Sequence, residues 1–230
     1  DGSGFLYLES LGHHIIDLVP GLIGLKGKQS FFADIAGIRA DVKVDLYIES
    51  THVCSEQGEL QLTNYGISGI PVFQLSRVAA RALSEQKKVY ATLNFVPLWE
   101  KEQCLTYFKE RFKKADEKRI GEALIGFFPE KLIPVLLEES HIKAAKYANR
   151  LQTEELERFI DTVQGLRVDI TDWNTFDTAQ VTAGGVDTDE IDAETMESKL
   201  CPGLYFAGEM VDIDGICGGY NLQWAWSSGA

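Results

Sequence analysis

The 230 residues contain only four cysteines, two methionines and four histidines, and each scarcity removes a class of chemistry. Cys54, Cys104, Cys201 and Cys217 are widely spaced and form no C-x-x-C, so neither a zinc ribbon nor a thioredoxin-like dithiol is encoded, and a chain this long needs no disulfide framework. Reduced thiols are the expectation, although Cys217 stands just before a glycine-led helix start, where a thiolate would be favoured. His13, His14, His52 and His141 are scattered and build no hydrolase triad with a serine or cysteine. No apolar run reaches the roughly 18 residues of a membrane span. No charged-then-apolar leader opens the chain, and a soluble, cytoplasmic protein is expected. Positive charge is also short: 22 Lys and Arg face 35 Asp and Glu, a net charge of -13. With no basic stripe interleaved with aromatics, the sequence argues against a nucleic-acid partner and for a small-molecule substrate. It carries no signal for an oligomeric state. A G-x-G-x-x-G dinucleotide turn is likewise missing.

What is present concentrates in the last third. Gly203-Leu-Tyr-Phe-Ala-Gly-Glu209 is an apolar run closing on Gly-Glu, and Asp212-Ile-Asp-Gly-Ile-Cys-Gly-Gly-Tyr-Asn-Leu-Gln-Trp-Ala-Trp-Ser-Ser-Gly229 follows it. The run predicts a short strand, Leu204 to Ala207, buried on both faces, with Glu209 at its C-terminal end. Gly218 and Gly219 then open a helix towards Ala230. A carboxylate at a strand tip accepts hydrogen bonds from sugar-like hydroxyls. The free N–H groups of a glycine-led helix start suit an electron-rich or anionic group. Together they suggest a nucleotide-type cofactor.

These residues resemble the C-terminal flavin motif of the bacterial NAD(P)/FAD-dependent oxidoreductase family that includes aminoacetone oxidase and bile-acid-linked flavoprotein reductases. Ala179-Gln-Val-Thr-Ala-Gly-Gly-Val186, Thr195-Met-Glu-Ser-Lys199 and Gly219-Tyr-Asn-Leu-Gln223 follow the family pattern in order. Upstream, Asp1-Gly-Ser-Gly4, Leu11-Gly-His13 and Gly58-Glu-Leu-Gln-Leu-Thr-Asn-Tyr-Gly-Ile-Ser-Gly69 are similar to it as well. The resemblance implies FAD as cofactor, with NAD(P)H as a possible electron donor. The family's N-terminal dinucleotide unit has no counterpart here, and the chain starts without Met and stops inside a predicted helix. It reads as a portion of a longer flavoprotein, which alone need not retain flavin. A histidine of the family's barrel segment is replaced by Asn64, beside Tyr65, which weakens transfer of a substrate class.

Periodicity supplies the organisation. Val42, Val44, Leu46 and Ile48 alternate as a half-buried strand, and residues 59–63 and 88–95 read similarly, with Gln57-Gly58 as a turn. Between them Val72 to Leu83 has helical spacing. After Pro97, Leu105, Phe108 and Phe112 mark an amphipathic helix, Leu132 to Leu137 and His141 to Ala148 read as short helices, and Leu156, Phe159, Ile160 and Val163 stripe another beginning at Thr153. Leu166 to Trp173 alternates again. The expected fold is mixed α+β or α/β: a barrel-like and helical insert flanked by parts of a Rossmann-like FAD-binding domain. Residues 1–20 are the remnant of that domain and 21–175 the insert, divided into a barrel (21–96), a helical part (97–165) and a return strand (166–175). Residues 176–230 complete the FAD-binding part.

The candidate site is Gly184, Gly185, Gly208, Glu209, Gly218, Gly219, Tyr220, Asn221 and Leu222. By the resemblance, Glu209 takes the place of the acid that binds the ribityl chain in many two-dinucleotide-domain flavoproteins. The 218–222 amides face the flavin pyrimidine edge, and Ala183 to Val186 is a loop near the isoalloxazine ring. The plainer alternatives are a solvated carboxylate, a helix cap with Asn221 as N-cap, and a turn between strands. Asp187, Asp189, Glu190, Asp192 and Glu194 lack calcium-loop spacing and read as a solvated acidic face, with Asp212 and Asp214 as indirect cofactor contacts. The expected activity is flavin-mediated hydride or electron transfer, with catalytic residues and substrate not encoded in a recognisable pattern; a noncatalytic binding module is the alternative.

Overall fold

The computed structural model describes residues 2–230, so Asp1 of the first matched segment lies outside the described residues. Alternation of apolar side chains builds a closed antiparallel barrel. Its strands are β2 (Leu25–Gly27), β3 (Arg39–Ile48), β4 (Thr51–Leu62), β5 (Gly66–Gly69), β6 (Val89–Asn94) and β7 (Leu166–Trp173), closed in the order β2-β5-β4-β3-β6-β7. Closure leaves no open sheet edge, which removes the aggregation hazard of an unpaired strand. Val42, Val44, Leu46, Leu60, Leu62, Ala91, Leu93 and Val168 are all buried, as period-2 alternation requires.

The expected turn at Gln57-Gly58 is not one. Gln57 pairs with Lys43 and Gly58 with Val42 inside β4, and the reversal falls at Glu49-Ser50, whose φ of 47° and 70° give the twisted two-residue hairpin turn. Gly58 lies in the ladder where the next helix packs down: a Cβ there would touch the Pro71 ring. That helix, α3 (Ile70–Ser84), buries Val72, Leu75, Ser76, Ala79, Ala80 and Ala82. Its alanines allow close approach on two sides, because Ala80 also clusters with Val19 and Ala183 of a separate two-stranded sheet. That sheet pairs β1 (Ile15–Gly21) with β8 (Val181–Val186), antiparallel.

Helices α4 (Lys101–Lys113), α5 (Ile120–Leu124), α6 (Leu132–Glu139) and α7 (Thr153–Gly165) cover the barrel, and one continuous core joins them to it. The α7 stripe Leu156, Phe159, Ile160 and Val163 is buried as its spacing predicts. Phe108 is ringed by Tyr107, Phe112, Phe127, Phe128 and Phe159. The expected helix over 141–148 does not form. His141 adopts φ 58°, the Ile142 N–H turns back to the Leu137 carbonyl (2.8 Å), and α6 is closed off. Only Ala148–Arg150 then makes a single tight turn.

A second, smaller core holds Leu8, Val186, Ile191, Phe206 and Val211, beneath α1 (Ser3–Ser10) and β8. His13 is buried at its edge. The Ser198 Oγ accepts the Leu200 and Cys201 N–H groups, so its own proton points to His13 Nε2 (3.0 Å), leaving Nδ1–H to donate to Glu190 (2.7 Å). The acids after β8 thus work locally. Asp187 accepts from the Asp189 N–H and then from His14, which lower its pKa, and Asp192 is lowered by the Thr195 and Glu194 amides.

Candidate functional site

The C-terminal helix α8 (Tyr220–Ser228) begins where the glycine pair predicts, with Gly219 as a left-handed N-cap at φ 91°. The first turn of a helix leaves its N–H groups without intrahelical acceptors. Here the row is longer: the main-chain amides of Gly218, Gly219, Tyr220, Asn221 and Leu222 all lack an acceptor among the described residues. A Cβ on Gly219 would meet no atom within 4 Å, so the glycine faces open space. Asn221 is not the N-cap. Its amide is committed to the main chain of Gly215, accepting from the N–H (2.8 Å) and donating to the carbonyl (3.0 Å), which folds the preceding loop into a closed ring.

Gly218, Gly219, Asn221 and Leu222 line a cleft of about 300 Å³ together with Glu209, Leu22, Gln180, Val181, Ile216 and Ala225. Glu209 is exposed and also borders a neighbouring hollow of about 360 Å³ formed by Gly2, Gly4, Phe5, Thr182 and Met210. The carboxylate therefore stands between the two hollows, with the free amides on one side. Tyr220 is 59% exposed at the helix start and is not part of the lining.

The expected strand over Leu204 to Ala207 is not formed. Phe206 is buried and Ala207 is extended (φ -151°, ψ 152°), but a strand needs a ladder, and the only β-bridge this run makes among the described residues joins Tyr205 to Glu197. Gly208 to Met210 is a tight turn instead, with Gly208 at φ 62°. Both main-chain groups of Gly208 are taken by α8, which donates Trp224 Nε1–H to its carbonyl (3.0 Å) and accepts its N–H at Ser228 Oγ (2.9 Å). The apolar run thus does deliver Glu209 to the helix.

Ala183 to Val186 is neither the expected loop nor a turn, but the end of β8. Gly184 (φ 104°) packs against the Asp17 carbonyl, where a Cβ would sit at 2.4 Å, and Gly185 (φ 136°) against Met210 at 2.8 Å. The missing side chains at these two positions are explained by close packing of main chain on main chain. The cleft wall beside them was missed from sequence. Leu22, strained at φ 50°, turns away from β1 with its side chain in the lining, a placement hinted at only by the preceding Pro20-Gly21. Gln180 and Ile216 gave no signal.

The family profile described as HI0933-like protein Rossmann domain matches residues 1–230. The chain belongs to this family. It is a family of FAD-binding flavoprotein oxidoreductases. The chain is 44% identical over 229 residues to a 3-dehydro-bile acid delta(4,6)-reductase of Clostridium scindens, covering 100% of this chain and 56% of the relative. It is 29% identical to the ribosomal RNA dihydrouridine synthases of Escherichia coli, over 98% of this chain and 54% of the relative, and of Haemophilus influenzae, over 98% and 53%. The chain thus spans about half the length of the curated relatives it matches. Relatives named for ribosomal RNA mean that the acidic charge does not exclude nucleic acid: net charge over half a protein says little about where a long polyanion would meet the other half. Among the described residues no helix is long and apolar enough to cross a membrane, and no cluster of His, Cys, Asp or Glu is arranged to hold a metal ion.

Proposed function

We propose that this chain supplies the insert (residues 21–175) and the C-terminal flavin-contacting part (176–230) of an FAD-dependent oxidoreductase driven by NAD(P)H, which reduces a carbon–carbon double bond in a small, rigid substrate. The observation that carries the cofactor assignment is the row of five unbonded amides from Gly218 to Leu222, opening beside Glu209 into a cleft with space left at Gly219. Orphaned donors and an open cradle fit an electron-rich ring edge, and the row runs one residue beyond the four N–H groups that any helix start leaves free.

FAD, when bound, supplies the two-electron hydride chemistry. The residues of this chain bind and orient. The 218–222 amides and the positive end of α8 stabilise negative charge that builds on the ring edge they face, without reorganising as it builds. Glu209, bordering both hollows, would accept hydrogen bonds from hydroxyls of a bound ribityl chain. Leu22, Val181, Ile216 and Leu222 give the same space an apolar wall against which a bound ring would displace water. Gly184 and Gly185 act one step back, letting β8 lie close enough to β1 and to the 210–212 main chain to form the cleft floor. The barrel and its helices shape the pocket over the reacting face.

The substrate class rests on the relatives: a delta(4,6)-reductase and a dihydrouridine synthase are both named for chemistry that saturates a double bond. The whole-chain identity of 44% favours a steroid-like enone over a nucleobase. Purified full-length protein, after reconstitution with FAD, is expected to show flavin absorbance that NAD(P)H bleaches anaerobically and an unsaturated 3-oxo steroid restores. Absence of flavin absorbance after reconstitution would leave a noncatalytic binding module as the reading. Absorbance restored by uridine-containing RNA and by no steroid would move the substrate to RNA.

A further inference from the structure

The loop that leads into the free amides is held from outside its own unit. Between Val211 and Gly218 it is tied by three side chains of α3, the helix that lies on the barrel. Arg81 donates to Asp212 (3.2 Å), Arg77 to the Asp214 carboxylate (2.8 Å), and Gln74 Oε1 accepts the Cys217 N–H (2.9 Å). The three contacts are spaced three and four residues apart on α3, so they form one face of the helix. They meet the loop at its start, middle and end. Asp214 is largely covered, with its side chain 10% exposed, so the Arg77 contact is sheltered from solvent on that side.

The opposite side of α3 is buried against the barrel, and its Ser76 Oγ accepts the Ile23 N–H (3.2 Å) next to Leu22 of the cleft wall. One rigid helix therefore touches the barrel, the cleft wall and the amide loop. Its Gln74 also caps the Cys217 amide, the donor immediately before the unbonded row, so the row starts at Gly218. Within its own unit the loop has the Asn221 ring with Gly215, which fixes its shape, and main-chain bonds from Asp212 and Ile213 to Val186 and Val211, which fix only its start.

We infer that Gln74, Arg77 and Arg81 are positioning residues for the cofactor: α3 sets where the 218–222 amides stand relative to the flavin ring, and so ties the flavin's affinity and reduction potential to the barrel. The inference rests on the flavin reading given above. It treats none of the three as touching substrate or ring. Removing a contact lets the loop swing about its two ends, misaligning donors that stabilise the reduced, more negative ring, so binding weakens and the potential becomes more negative.

The test uses full-length protein with FAD. Gln74→Ala, Arg77→Ala and Asp214→Ala are each expected to raise the FAD dissociation constant about tenfold, the loss of one net hydrogen bond, and to lower the flavin midpoint potential, with far-UV circular dichroism and the melting temperature of the apoprotein unchanged. The Arg77→Ala/Asp214→Ala double variant should be no weaker than Arg77→Ala, because Asp214→Ala removes only the carboxylate contact, and Arg77→Ala removes that together with the Arg77 bond to the Asp214 main-chain carbonyl (3.4 Å). Wild-type FAD affinity and potential in all three single variants would overturn the inference while leaving the flavin reading intact, and additive losses in the double variant would overturn the role of that pair. If the wild-type protein takes up no FAD, the flavin reading fails first and this inference falls with it.

Discussion

Two glycine substitutions separate a glycine kept for the fold from one kept for a ligand. Gly184→Ala places a Cβ 2.4 Å from the Asp17 carbonyl oxygen at φ 104°. The obstacle is main chain, which has no rotamer to adopt, so β1 and β8 must separate. Overpacking of this kind together with left-handed strain costs about 3 kcal/mol or more. Gly219→Ala adds the same atom at φ 91° with nothing within 4 Å. Only the conformational strain remains, ~1–2 kcal/mol, offset in part by the smaller entropy of the unfolded chain, so the net loss is about 1 kcal/mol. Urea unfolding of the apo full-length protein, followed by circular dichroism, measures both stability losses, and quenching of FAD fluorescence on binding measures the affinity for the cofactor. Gly184→Ala should unfold at clearly lower urea, while Gly219→Ala should unfold near wild type yet bind FAD at least about tenfold more weakly, since its methyl enters the cradle. Wild-type FAD affinity in Gly219→Ala would refute the assignment of the 218–222 amides to the cofactor. Wild-type stability in Gly184→Ala would refute the packing account of β8.

Glu209→Ala should weaken FAD retention by a few-fold to tenfold without moving the melting temperature, because the carboxylate is exposed and supports no packing; unchanged retention on gel filtration would remove Glu209 from the site. Phe108→Ala should destabilise the helical half by about 3–5 kcal/mol, since the ring is fully buried among five other aromatics, and a loss below about 1 kcal/mol in chemical denaturation would show that the cluster collapses to refill the void. Glu155 is held below its ordinary carboxylate pKa first by the Lys146 ammonium, 2.7 Å away, and then by the Gln152 N–H. A lowered folded-state pKa contributes stability above the unfolded value of 4.5 and loses it as pH falls through the folded value. Glu155→Gln should therefore melt lower than wild type at pH 7, by about 1 kcal/mol for this partly buried pair, and the two melting curves should converge well below pH 4.5; a gap that stays constant with pH would refute the linkage.

How much of this was legible follows from what each signal depends on. The alternation of Val42, Val44 and Leu46 and the stripe Leu156, Phe159, Ile160 and Val163 are local patterns with only one way to bury themselves, and both elements form as read. Leu204 to Ala207 fails because apolar composition predicts burial, while a strand also needs partners that no local pattern supplies. Phe206 is buried in the second core without joining a sheet. Gly58 misleads for the opposite reason: a glycine that looks like a turn sits inside a ladder, because Pro71, thirteen positions on, covers it. At the candidate site, the glycine pair and Glu209 carry local signals, and the fold brings them to one cleft. Leu22 and Gln180 enter the cleft only because β1 pairs with β8 across some 160 residues of sequence, and the α3 contacts with Asp212, Asp214 and Cys217 arise from the same kind of long-range folding.

The state of α8 sharpens what the cleft demands of its ligand. A nine-residue helix is marginal in water, and proteins ordinarily stabilise one by burying a stripe of it. None of α8 is buried: Leu222 is 67% and Trp226 74% exposed. What holds it is the partly buried Trp224, packed against the second core, and a set of hydrogen bonds, Asn221 to Gly215 at the start and Trp224 and Ser228 to Gly208 along its length. Such bonds set direction well and contribute little net free energy each. The helix that aims the five free amides is therefore anchored on its Trp224 side only, and whatever covers Leu222 and fills the space at Gly219 adds to its stability. A ligand that satisfies those amides then does two things at once: it gains their hydrogen bonds and it stabilises α8, so binding and ordering of the site are linked in one equilibrium. The α3 contacts act on that equilibrium from the barrel side, which is why loosening them is expected to register in FAD affinity before it registers in the stability of the fold.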